Sequence, residues 1–189
     1  MKKYIIAAGV ALLGLSSVNA QDINFGIKAG VNLANFSGDD VENNAMKIGA
    51  YAGAYANLGL TEKIFFQPEL LFSMQGVDAD EGDGSTKLNY INIPLMFQYG
   101  LTEEIRLELG PQVGMLLSAD LDNGEQEVDF KDEMSSIDFG MNVGASYNMD
   151  NGLSVSVRYN MGLTEVMDSE VFESDAKNSV ISIGVGYAL

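Results

Sequence analysis

Six charged residues stand apart from the rest of this chain: Lys28, Glu69, Arg106, Glu108, Asp138 and Arg158. Each sits inside a stretch where apolar and polar residues alternate, and each falls on the polar side. Three carry each sign. Brought together, such a set can line a pore, relay protons, or fill an interior as a neutral network. An unpaired charge away from water is costly, so ion pairs are expected.

Other chemistry narrows quickly. The 189 residues include no His and no Cys. That removes disulfides, thiolate metal sites, the commonest general base and the commonest zinc ligand. Serines are plentiful, but no imidazole exists to activate one, and no Ser-Lys or Asp-based motif is present. The sequence therefore predicts no catalytic residue, no cofactor and no enzyme activity. Asp78-Ala79-Asp80-Glu81-Gly82-Asp83-Gly84 is similar to a calcium loop, with Asp78, Asp80 and Asp83 as candidate ligands. The helix-flanked calcium loop wants Gly at its sixth position and Glu at its twelfth. Asp83 and Asn89 stand there instead. The competing reading is a solvated acidic loop that resists aggregation.

The elements that must position the six charges are strands. The clearest stretch is Lys87–Leu117, two runs of alternation around the tight polar turn Gly100–Glu104. Ile91, Ile93, Leu95, Phe97 and Tyr99 face one way, against Tyr90, Asn92, Pro94, Met96 and Gln98. A period of two means one apolar and one polar face. The run is long: ordinary strands have about 5–6 residues, membrane-spanning ones about 9–11.

The same alternation recurs along the chain. It is expected over Phe25–Ala34, Met46–Leu58, Ile64–Gln75, Ser135–Tyr147 and Leu153–Gly162, and in a last strand through Ile181 and Tyr187. Over Met46–Leu58 the facing is ambiguous, because small residues occupy both sides. Asp150-Asn151-Gly152 is a strong hairpin signal. That makes eight strands, with connections alternating between long and short. Such a rhythm predicts an all-β, eight-stranded antiparallel up-and-down transmembrane β-barrel, with long loops outside and short turns and both termini in the periplasm. An even number of strands closes without an edge.

Charge placement points the same way. Of the 27 acidic residues, 19 fall in the long loops Asn35–Ala45, Gly76–Thr86, Ser118–Met134 and Leu163–Lys177. Outer-membrane lipid is then the partner of the apolar face. The acidic loops are candidates to contact a protein partner. The net charge of −17 argues against nucleic acid. A soluble calyx would demand the opposite facing, with aliphatic residues inside. Pro68, Pro94 and Pro111 fall within strands, where each removes a ladder donor. A local bulge or a loosened seam is expected there.

Residues 1–20 read as a separate signal peptide. Lys2 and Lys3 precede the apolar run Tyr4–Leu15, and Val18 and Ala20 form a small-x-small site before Gln21. Residues 21–189 form the barrel domain. With these segments laid out, the chain resembles the small outer-membrane β-barrels of Bacteroidetes, the PorT-like group. FGIKAGVNLANF, FQPELLFSMQG, YINIPLMFQYG, LELGPQVGMLLSA, DFGMNVGASYNM, LSVSVRYNMGLTEV and ISIGVGYAL carry the resemblance, across residues 24–189. One position departs from it: such barrels often end in an aromatic residue, and Leu189 stands here, two after Tyr187. The resemblance implies an outer-membrane address and no agreed chemistry. Two roles follow: a structural or interaction barrel, or a small transport or lipid-binding barrel.

Overall fold

The computed structural model describes residues 23–38, 44–79, 84–122, 126–167 and 175–189. The expected leader over residues 1–20 lies outside them. Among the described residues there are nine strands: β1 Ile23–Ser37, β2 Asn44–Gly59, β3 Ile64–Ala79, β4 Ser85–Gly100, β5 Ile105–Asp122, β6 Glu127–Asp129, β7 Ile137–Asn148, β8 Leu153–Glu165 and β9 Lys177–Ala188. Eight of them close a barrel of antiparallel neighbours, in which β1 pairs β9 and β4 pairs β5. The extra strand β6 is a three-residue addition to the end of β5. A single 3-10 turn, Lys131–Glu133, follows it.

Facing is set by the alternation. Leu109 is 56 % exposed and Ile48 74 %, whereas Asn32 and Glu69 are 1 % and 3 % exposed. Apolar side chains cover the outside and polar ones fill the inside. This is the inverse of a water-soluble calyx and the arrangement of a barrel bathed in lipid. Tyr99, Tyr147 and Tyr187 point outward close to the short turns, where aromatic girdles sit at a membrane interface. Phe66 and Phe97 pack across the β3–β4 pair, ring centroids 5.0 Å apart.

The second strand resolves into one facing. Tyr51 and Asn57 are buried, while Met46 and Ile48 are exposed. The glycines across the barrel wall explain how. A Cβ at Gly26 would run into the Tyr55 ring, and one at Gly184 would meet the Tyr51 hydroxyl. The glycines of β1 and β9 thus leave room for two tyrosines that fill the interior. Gly26→Ala is expected to cost about 1–3 kcal/mol by overpacking. Urea titration should show that cost shrinking in a Tyr55→Ala background; an unchanged cost would remove Tyr55 as its cause.

The strands run further toward the long loops than the alternation predicts. β3 continues to Ala79, β5 to Asp122 and β8 to Glu165. Their last residues mix polar and apolar types without a clean alternation, so no apolar period marks them. Backbone pairing between neighbouring hairpins holds them instead, as in Asp78↔Ser85 and Ser85↔Asp122. The outward apolar stripe of β4 ends at Ile91, and Ser85–Tyr90 stands beyond it.

The prolines loosen the seam without shifting it. Pro68 is partnered by Leu95, and paired residues resume only at Leu71↔Asn92. Across β4 and β5, none occur between Pro94↔Gln112 and Phe97↔Leu109, which brackets Pro111. The register is the same on both sides of each gap. True register shifts lie elsewhere, between Met46 and Tyr51, between Asn89 and Tyr90, and between Met161 and Glu165. In the second, Asn89 opposes Ser118 and Tyr90 opposes Leu116, so Leu117 is left over. That extra residue swaps the inward side of β5 from Leu116 to Ala119.

Candidate functional site

Four of the six strand charges meet at one level inside the barrel. Arg158 from β8 grips Glu69 from β3 with two parallel bonds, each 3.0 Å. Its Nη2 also donates to Glu108 of β5 at 2.6 Å. Lys28 from β1 donates to both Glu69 oxygens, at 3.2 and 3.3 Å. Two cations face two carboxylates, and all four side chains are buried. The fork of arginine suits the bidentate grip, which a lysine point charge would not reproduce.

Amides extend the network toward the short turns. Gln67 donates to Glu69 at 2.8 Å and Gln98 to Glu108 at 2.9 Å. Asn57 donates to both glutamines, at 2.9 Å each. On the other side, Asn32 donates to Ser73, Ser182 to Asn32, and Asn160 to Asn142. Two cavities of about 30 and about 20 Å³ flank the charges, and Lys28 and Ser156 line both. Arg158 Nε has no partner among the described residues, and Arg158 borders the larger cavity, which has room for about two waters.

The remaining two strand charges do not join the quartet. Arg106 reaches Gln98 at 3.1 Å and Asn57 at 3.4 Å, and its guanidinium lies 3.7 Å over the Phe65 ring. Asp138 accepts from Thr164 at 2.9 Å. Neither forms an ion pair among the described residues, against the expectation of pairing throughout. Arg106 is half-buried at the short-turn mouth, where water and a ring face serve it. Asp138 is shielded by the hydroxyl of Thr164.

The acidic loop is organised differently from a cation site. Asp78 takes Lys47 Nζ at 2.7 Å, and Lys47 also donates to Ser85. Asp80 and Asp83 lie outside the described residues. Lys87 forms a second latch, 3.0 Å from both Asp122 and Glu127. Alternation alone did not single out Lys47 and Lys87: small residues leave the facing of Met46–Leu58 ambiguous, and Lys87 precedes the apolar alternation that begins at Ile91. Partial burial pushes the Asp78 carboxyl up, but bonds from Lys47 and Ser85 pull it down, and the net position is below the usual carboxylate range. The latch is therefore intact above the ordinary carboxylate pKa and is lost only as pH falls through the lowered value. Lys47→Met should return Asp78 toward its ordinary value in a carboxyl NMR titration. An unmoved titration would dissolve the latch.

At the long-loop end the interior turns apolar. Leu88, Tyr90, Leu116, Ala119, Met134 and Val166 form a buried cluster, with Phe36, Phe130 and Met167 packed on it. Backbone bonds hold the two loops over it: Phe130 to Ala119 at 3.1 Å, Ser135 to Val166 at 2.9 Å and Val166 to Ala176 at 2.8 Å. A Met134↔Met167 bridge joins them. This cluster was not legible as a unit in the sequence, because Leu88 and Tyr90 of β4 and Leu116 and Ala119 on either side of the β5 bulge meet Met134 and Val166 from the loops.

A closed eight-stranded wall, apolar outside and ion-paired within, defines an outer-membrane β-barrel. The family model for the outer membrane protein beta-barrel domain matches residues 19–168, and the chain belongs to that family. Among solved structures, the neisserial surface protein A is similar at 15 % identity and TM-score 0.62, covering 87 % of this chain and 97 % of that one. Ail, the attachment invasion locus protein of Yersinia pestis, is similar at 14 % identity and TM-score 0.54, over 89 % of this chain and all of that one (100 %). A second Ail structure, in complex with the heparin analogue sucrose octasulfate, is similar at 11 % identity and TM-score 0.55, with 89 and 100 % coverage. At these identities the likeness is one of fold. A search of curated proteins gives no match.

Proposed function

We propose that the protein is a closed, non-conducting outer-membrane barrel that works through its outward-facing loops, where acidic hairpins contact a partner. The observation behind this reading is the ion quartet. Lys28, Glu69, Glu108 and Arg158 fill the barrel with bonds of 3.3 Å or less, between cavities of about 30 and 20 Å³. A conducting pore needs a continuous wet path, which eight strands filled by side chains do not leave. In this reading residues 1–20 direct export and are removed, both termini are periplasmic, and the chain sits in the PorT-like group. No site for catalysis enters it.

The hairpins that rise beyond the apolar stripe are fixed by Lys47–Asp78 and by Lys87 with Asp122 and Glu127. Rigid acidic hairpins suit a partner that is basic. They do not suit a polyanion such as the heparin analogue held by Ail. Planar-bilayer recording of the refolded protein tests the closed interior. Silence at moderate voltage is the expected result, and steady ion-selective current would overturn it. Loop-shortened variants should lose capture of the partner while keeping the folded barrel.

A further inference from the structure

The apolar cluster at the long-loop end does more than seal the barrel. Beside it lies an open cavity of about 380 Å³, walled by Phe36, Leu121, Phe130, Met134, Val166 and Met167. That volume falls in the range of about 300–1,000 Å³ usual for small-molecule sites and is too small for a folded peptide. Leu121 is on the inner side of β5 only because Leu117 is bulged out, and yet it remains 45 % exposed. An apolar wall left open at the one mouth crowned by charged loops calls for an apolar occupant.

Two polar residues interrupt the lining, Thr86 and Glu133, and of these Glu133 carries the charge. Glu133, in the 3-10 turn Lys131–Glu133, contributes to the cavity wall. Its side chain is exposed and forms no ion pair or hydrogen bond among the described residues. Close by, Lys131 is turned aside, donating to the Leu117 carbonyl at 2.8 Å. Among the described residues of this end of the barrel, nine acidic side chains outnumber four lysines. A ligand whose tail enters the cavity therefore leaves its head beside a free carboxylate in a negative field. A cationic head is favoured there and an anionic one repelled.

We infer that this cavity binds a small cationic amphiphile, its apolar chain against Phe36, Phe130 and Met134 and its ammonium beside Glu133. The inference rests on the reading of a barrel that works at its long-loop end, and names the ligand class for that end. It needs no passage through the barrel.

Two methionines of the wall, Met134 and Met167, are reporters. The mature protein in nanodiscs of neutral phospholipid, labelled at its methionine methyl groups, would be titrated with octyltrimethylammonium. The expected result is a saturable shift confined to Met134 and Met167, with outward Met74, Met115 and Met161 unmoved. Octyl sulfate should bind at least tenfold more weakly. Glu133→Gln, at an exposed position that leaves the fold alone, should remove most of that preference. Three outcomes would overturn the inference: no saturable shift, equal binding of octyl sulfate, or shifts shared with the outward methionines as simple partition into lipid gives. Each of these leaves the conductance result untouched, so failure here and failure of the closed-barrel reading are separately visible.

Discussion

Arg158→Ala is expected to be the most damaging single substitution in the barrel, costing about 3–5 kcal/mol, the loss typical when one partner of a buried ion pair is removed. The guanidinium serves two carboxylates at once, Glu69 through two bonds of 3.0 Å and Glu108 through one of 2.6 Å. Without it Glu69 retains Lys28, but Glu108 retains only the amide of Gln98. A buried carboxylate with one neutral donor is poorly compensated. The pairing also predicts its own rescue. Neutralising both members, Arg158→Gln with Glu108→Gln, leaves Lys28 opposite Glu69, and should recover more than half of the loss. Arg106→Ala is the contrast: half-buried and bonded to amides, it should cost far less. Urea titrations of the protein folded in micelles would rank the three variants. Equal costs for Arg158→Ala and Arg106→Ala would refute the quartet as the interior's main restraint.

The second large effect lies on the opposite face. Leu109 points outward at 56 % exposure, between Phe97 on β4 and Val143 on β7. In a soluble protein a charge at so exposed a place would be nearly harmless, within about 0.5 kcal/mol. In hydrocarbon, Leu109→Arg should cost about 2–4 kcal/mol, as charges do near the bilayer midplane. Val128 offers the matched control. It is 51 % exposed but stands on β6, beyond the apolar stripe, so Val128→Arg should leave stability almost unchanged. The difference between two residues of similar exposure would then map the edge of the lipid.

The contrast between these residues also shows what the sequence makes legible. Leu109, Phe97 and Val143 are read outward from alternation alone, because a period of two ties facing to position. Glu69 and Arg158 are read inward by the same rule. Their pairing is not readable, since it joins β3 to β8 across the barrel and depends on how far the strands shear past one another. Nothing local separates Arg158, which enters the quartet, from Arg106, which stays at the mouth. Tyr51 and Tyr55 escape the rule for another reason. Gly and Ala on both sides of β2 erase the hydrophobic contrast, and only the glycines of neighbouring β1 and β9 reveal the facing. The strand ends past Gln75 and Leu117 are missed because register shifts break the period of two there, so that buried Val77 and Ala119 stand among polar residues held by ladder bonds. The apolar cavity is missed for a like reason: a single bulged Leu117 turns Leu121 to the inside.

The central claim is that the apolar face looks into hydrocarbon, and single-tryptophan quenching tests it most directly. The chain contains no Trp, so each introduced indole reports alone. Val157→Trp and Ile183→Trp place it on the outward face, where both residues are about half exposed and pair with each other. In vesicles of phospholipid brominated along the acyl chain, both should emit in the blue and be strongly quenched. An unquenched, water-like emission from these two positions would contradict the account.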